Sequence, residues 1–271
     1  MGTVIGFFAL TFAVTWAFFG AAVAVSRGAH ANDAWQVTLV GALVFAGTMT
    51  PALVALAMGA RNAGGIAAIF NRLGRWRLGL RWYLFALGYM TAVRFAVALV
   101  CRVATGAWPA IDSWTLLAVM VSIAFSTPFQ AGEEIGWRGY ALPRLVDRMG
   151  FAGGSIVLGA MWACWHLPLF VLRAAGNNEY GQSFTVWALG VTGLSVAMAW
   201  LYLRTNQSLP VVMLMHAAVN NSPHFVPPIV ADTRNVFSLH APLVAWLTTS
   251  FLWVGAGWFL WRTRGTGKLA A

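Results

Sequence analysis

What this chain has least of is charge. Only 9% of its 271 residues are charged, and only seven are acidic. A soluble domain carries about a quarter charged residues to cover its water-facing surface. With 60% hydrophobic residues and a mean hydropathy of +0.72, this chain cannot build such a surface, which excludes a water-soluble protein and leaves lipid as its solvent. Cysteine is nearly missing as well. Cys101 and Cys164 both fall in apolar runs, which excludes the disulfide framework of a small secreted chain. No alternating strand pattern is present, and backbone groups in hydrocarbon need internal partners, so helices and not a barrel are expected. No internal repeat stands out, which weighs against an inverted-repeat transporter. The first apolar run has no Lys or Arg before it and exceeds 20 residues. A cleaved signal peptide has a basic start and a shorter core, so this run is expected to remain as a span.

What is present is a series of eight apolar segments, near 3–25, 35–59, 82–104, 113–132, 151–172, 183–203, 209–222 and 242–261. A helical span needs about 20 apolar residues, so the expected fold is all-α, a polytopic transmembrane bundle of about eight spans forming a single membrane domain over residues 1–271. The seventh segment is short and ends in Asn220-Asn221.

The net charge of +10 does not form a nucleic-acid-reading surface, because the basic residues lie between the apolar runs. They set the orientation instead. With the N-terminus in the cytoplasm, twelve basic residues fall on the cytoplasmic side: Arg61, Arg72, Arg75, Arg77, Arg81, Arg138, Arg144, Arg148, Arg204, Arg262, Arg264 and Lys268. Four fall opposite, Arg27, Arg102, Arg173 and Arg234, together with the acids Asp33, Asp112, Glu179 and Asp232. Both termini are therefore expected in the cytoplasm, in a bacterial cytoplasmic membrane. Arg94 lies inside the third span and is expected to pair within the bundle. His30, His224 and His240 are expected in or beside external loops. The stretch from Arg61 to Arg81 interleaves arginines with Ile66, Ile69, Phe70, Leu73, Trp76 and Leu80, as an element lying on an anionic leaflet does.

Ionisable groups inside a membrane are costly and point to function. The strongest cluster is Gly132-Glu133-Glu134-Ile135-Gly136-Trp137-Arg138. Met149 to Gly153 reads as a turn between two helices. Glu133 lies 16 residues before Met149, and His166 lies 16 after Gly150. In an antiparallel pair both would sit roughly 24 Å from the turn at 1.5 Å per residue. The fourth helix is thus expected to continue through Arg138, with a bend at Pro143, and to carry Glu133 below the membrane surface. Glu134 and Arg138 are spaced i, i+4 with the acid first, the favourable order for an ion pair. Glu133 points about 100° away around the helix and is left for another task.

Two further pieces join this cluster. In Trp162-Ala163-Cys164-Trp165-His166, an aromatic wall lies one turn from an imidazole, and Pro168 frees a backbone carbonyl one turn back. In His216-Ala217-Ala218-Val219-Asn220, two polar side chains share one face, which should turn into the bundle because lipid cannot satisfy it. Glu133, His166 and His216 are a candidate divalent-metal set, with zinc first by ligand type. The same residues suit a metal-free site, with Glu133 as general base and His and Asn donors stabilising an oxyanion.

In order along the chain, these pieces resemble the CPBP (or ABI) family of intramembrane proteases, which covers CAAX prenyl endopeptidases and bacteriocin-processing enzymes. Its pattern of Glu-Glu-x-x-x-Arg, Phe-x-x-x-His and His-x-x-x-Asn is similar to Glu133-Glu134…Arg138, Trp162…His166 and His216…Asn220, with Trp162 where Phe is usual. That departure is expected to change pocket shape and not chemistry. The resemblance covers roughly residues 113–222 and implies a membrane-embedded endopeptidase acting on membrane-associated, in some members lipidated, proteins or peptides. It also implies that Glu133 activates water beside His166, that His216 and Asn220 support the oxyanion, and that Glu134 and Arg138 support the site or contact substrate. Both zinc-dependent and metal-free mechanisms fit these residues. Two other classes fit the composition: a non-catalytic binding or immunity factor, and a transporter coupling protons through buried His and Glu.

Overall fold

The computed structural model describes residues 2–27, 33–61, 64–106, 113–170, 183–222 and 237–264. Asp112, Arg173, Glu179, Asp232, Arg234, Lys268, His30 and His224 lie outside the described residues. The expected all-helical bundle is what forms, with no strand among the described residues. Long helices are α1 (Gly2–Ser26), α2 (Ala34–Gly59) and α4 (Leu80–Thr105), with the short α3 (Gly65–Leu73) between the last two. Then come α5 (Ser113–Ser126), a 3-10 turn at Thr127–Gln130, α6 (Ala131–Gly136), a π-turn at Trp137–Ala141 and α7 (Leu142–Trp165). The bundle closes with α8 (Phe184–Arg204), α9 (Leu209–Asn220) and α10 (Leu243–Arg262). Among the described residues, six stretches are long and apolar enough to cross a membrane. One of them, Leu116–Phe170, is 55 residues long and contains the turn expected near Met149, so it supplies two of the eight segments. The short α9 supplies the eighth.

The turn is set by Gly150, whose φ of 69° lies in the left-handed region that glycine enters without steric cost. The arms then close so tightly that a Cβ on Gly154 would sit 2.8 Å from the Val146 backbone nitrogen. The first arm is one continuous but irregular helix through Arg138. Its bend is spread over the 3-10 turn and the π-turn ahead of Pro143, and such interruptions re-aim the side chains around them.

Small residues let the helices meet at backbone distance, as membrane packing requires. A Cβ on Gly136 would lie 2.7 Å from the carbonyl carbon of Pro51, so α6 rests directly on α2. A Cβ on Gly159 would lie 2.8 Å from the Thr192 Cα, which brings the second arm of α7 onto α8. The Ser195 hydroxyl adds a bond to the Ser155 carbonyl at 3.2 Å across this seam. The core thus runs through α6, the π-turn, α7, α8 and α9, where Trp137, Arg138, Trp165, Met198 and Met215 are among the largest fully buried side chains.

The interleaved segment forms α3 and buries Ile69, while Phe70 and Trp76 stay exposed. Arg72 donates to the Gly139 carbonyl of the π-turn, and Ser208, which caps α9, donates to the Arg75 carbonyl. Cys101 is half-buried and Cys164 is exposed.

Candidate active site

The polar residues expected to meet do so around Trp162. Its indole N–H donates to Glu133 Oε2 at 2.7 Å. Its ring faces the Arg138 guanidinium at 4.4 Å and packs edge-on against the His216 ring at 5.2 Å between centroids. Its carbonyl accepts from His166 Nδ1 at 2.8 Å. One residue therefore touches both histidines, the arginine and one of the two glutamates.

The two glutamates take different partners, as their positions around the helix predict. Arg138 Nη1 donates to Glu134 Oε1 at 2.8 Å, with both side chains fully buried. His216 Nδ1 lies 2.7 Å from the same oxygen. A carboxylate only accepts, so Nδ1 carries the hydrogen and a neutral His216 keeps its lone pair on Nε2. The same logic applies to His166, whose Nδ1 faces a carbonyl. Glu134 Oε2 is buried with no partner among the described residues. Glu133 is held by neutral donors: besides Trp162, the Trp137 indole reaches Oε2 at 3.4 Å. Arg138 is further fixed by Met198, whose sulfur accepts from Nη2 at 3.3 Å.

The α9 face turns inward as expected and meets α6 and its 3-10 turn in antiparallel register. His216 bonds Glu134, and Asn220, one turn on, donates to Gln130 Oε1 at 3.4 Å. Asn221 extends this row with a bond from Nδ2 to the Ser126 hydroxyl at 3.2 Å. Asn220 is exposed while His216 is buried, so this row runs from the core to an opening. The α7 helix ends at Trp165 and breaks at His166, because Pro168 has no N–H to give the Cys164 carbonyl. His166 is left with its ring against Trp165 at 4.6 Å and Trp187 at 5.0 Å.

Glu133 accepts from the indole of Trp162, one turn before His166 on the facing arm. One expectation changes in detail. The departure from Phe to Trp at position 162 is chemical as well as steric, since an indole can donate where a phenyl ring cannot. Residues the sequence reading passed over are Trp137, Met198, Gln130 and the pair Gly132 and Gly136. The signals were available in part: Gln130 is four residues before Glu134, and Gly132-x-x-x-Gly136 is a small-xxx-small pattern.

For a metal, the donor set decides. Both imidazoles turn Nδ1–H to a carbonyl or carboxylate, the form that metal-bound histidines use. Yet among the described residues no three His, Cys, Asp or Glu side chains gather closely enough to hold an ion. Among the described residues, Glu133, His166 and His216 are not brought together as a ligand trio.

Residues 112–222 match the model of the type II CAAX prenyl endopeptidase Rce1-like family. A curated protein, CAAX prenyl protease 2 of Methanococcus maripaludis, is 28% identical over 109 residues, which is 38% of this chain and 39% of the relative. The chain thus spans about two-fifths of the length of that relative.

Proposed function

We propose that this chain, whose residues 112–222 match the type II CAAX prenyl endopeptidase Rce1-like model, is an intramembrane endopeptidase that hydrolyses membrane-associated proteins or peptides. Its substrates are membrane-associated proteins or peptides, lipidated ones among them; both of its termini face the cytoplasm, and it sits in a bacterial cytoplasmic membrane. The observation that carries this reading is the unequal treatment of two adjacent carboxylates. Glu134 is fully buried and shares one oxygen between a guanidinium and an imidazole. Glu133, near the same place, is held by two indole N–H groups. Neutral donors fix a carboxylate without neutralising it, which suits a general base.

In the reaction, Glu133 takes a proton from water as the water oxygen attacks the scissile carbonyl carbon. The carbonyl oxygen becomes an oxyanion and accepts hydrogen bonds from His216 and Asn220. His216 donates from Nε2 when it carries a proton there, its Nδ1 being committed to the Glu134 carboxylate. Collapse breaks the C–N bond, and Glu133 returns its proton to the leaving amine. His166, with its Nδ1 committed to the Trp162 carbonyl, presents Nε2 to orient water. Arg138 anchors Glu134.

The test is cleavage of a lipidated C-a-a-X peptide in liposomes by wild type, Glu133→Gln and His166→Ala. General bases contribute about 10²- to 10⁴-fold, so Glu133→Gln should lose at least 10²-fold in turnover with the fold intact. Equal turnover in all three would remove the assignment. Metal content of the active protein, with chelator inhibition, decides between this metal-free path and a zinc-dependent one.

A further inference from the structure

Beside the catalytic residues lies a cavity of about 330 Å³, walled by α4, the end of α7, α8, α9 and α10. His166 and Asn220 form part of one wall, and the rest is mostly apolar, including Met90, Phe170, Leu194 and Leu252. One cation reaches into it. Arg94 is 8% exposed and lines the cavity. Its hydrogen bonds run to two hydroxyls and are long, 3.5 Å to Ser222 and 3.3 Å to Thr248. Among the described residues no carboxylate pairs with it.

A buried guanidinium is costly unless an anion meets it, and within a membrane such a residue marks a ligand path. Hydroxyls solvate it without neutralising it. Guanidinium is also the side chain best shaped to take a carboxylate through paired hydrogen bonds. The size limits the guest: 330 Å³ is at the low end for small-ligand pockets, so a few residues fit and a folded chain does not.

We propose that this cavity binds the free C-terminus of the substrate, with Arg94 anchoring its carboxylate and the apolar walls taking the side chains before it. This deepens the endopeptidase reading and rests on it. A C-terminal C-a-a-X segment ends in two aliphatic residues and a terminal residue carrying a free carboxylate. Three extended residues span about 10 Å, a short chain with apolar sides and an anionic tip. With that tip on Arg94, the bond to be cut lies toward the wall formed by His166 and Asn220. Arg94 is thereby a specificity-determining residue that measures distance from the substrate's end.

The experiment compares two lipidated C-a-a-X peptides identical except that one ends in a free acid and the other in an amide. Binding is measured by competition on Glu133→Gln protein, so that it needs no turnover, and cleavage is measured on wild type. A charge-assisted contact of this kind corresponds to about 10- to 100-fold in affinity. The acid should therefore bind and be cleaved about 10- to 100-fold better than the amide. Arg94→Gln should bring that ratio to near one by weakening the acid, and Arg94→Lys should keep part of it. Equal binding of acid and amide, or a ratio that survives Arg94→Gln, would overturn the proposal. Oleate and oleyl alcohol form a third arm: Arg94-dependent oleate binding without peptide-acid preference would make the occupant a lipid anion and overturn the peptide assignment. Should Arg94→Gln not fold, the acid-to-amide ratio of the unmodified cavity decides. Acid preference in binding without any cleavage sinks the endopeptidase reading and leaves the carboxylate site; cleavage without preference does the reverse.

Discussion

Replacing Trp162 with Phe removes one hydrogen atom that matters. The ring position is kept, so stacking on Arg138 and the edge contact with His216 survive in smaller form. What goes is the 2.7 Å bond from the indole to Glu133 Oε2, leaving Trp137 at 3.4 Å as the donor to that oxygen. A buried hydrogen bond to a charged group is worth about 1.5–3 kcal/mol. If that energy orients the base in the transition state, it corresponds to about 10- to 100-fold in rate. The loss should appear in kcat with KM nearly unchanged, because the bond is made to the enzyme's base and not to bound substrate. Trp137→Phe removes the longer bond and should cost less. The assay is steady-state cleavage in liposomes, with the thermal midpoint in detergent as the check on folding. A Trp162→Phe enzyme with wild-type kcat would refute the idea that the indole orients Glu133.

Two other perturbations probe how the site is held. Gly136→Ala drives a methyl group to 2.7 Å from Pro51 backbone atoms, which have no flexible end to yield; overpacking of this kind costs about 1–3 kcal/mol. The thermal midpoint should fall by several degrees (on the order of 5 °C), whereas Gly88→Ala, with open space around it, should leave it in place. Arg72→Ala unties α3 from the Gly139 carbonyl of the π-turn. Faster amide hydrogen exchange over residues 137–141 and reduced turnover are expected, with little change in the midpoint; unchanged exchange there would show that α3 does not brace the site.

Much of this was legible from spacing alone. Apolar run lengths fixed the helices, glycine fixed the turn at Gly150, and i, i+4 spacing foretold both the Glu134–Arg138 pair and the shared face of His216 and Asn220. Each of these depends on regular geometry within one helix. The π-turn at Trp137–Ala141 had no such signature, since counting at a uniform rise passes over it. Contacts between distant segments had no local signature. Nothing near Met198 announces that its sulfur will meet Arg138, and Arg94 reads as an ordinary intramembrane cation until the cavity around it is seen.

The row formed by α6, its 3-10 turn and α9 explains why two glutamates stand side by side where one base would suffice. Ser126, Gln130 and Glu134 face Asn221, Asn220 and His216 in antiparallel order. In lipid, a slip of α9 along this seam would strip His216, Asn220 and Asn221 of their partners while Arg138, on the same arm as Glu134, kept its carboxylate, and buried polar groups without partners are costly. A buried ion pair is weak evidence of stability, but it is well suited to fixing register. Glu134 thus holds α9 at one level against α6, and that level sets where His216 and Asn220 stand relative to the next residue back along the chain. Glu133, turned about 100° away and held by indoles, is relieved of that duty. On the proposed endopeptidase reading, the adjacent carboxylates divide the work between alignment and proton transfer, and that reading requires that Glu134→Gln impair the site through the placement of His216 while Glu133→Gln impairs it through the proton.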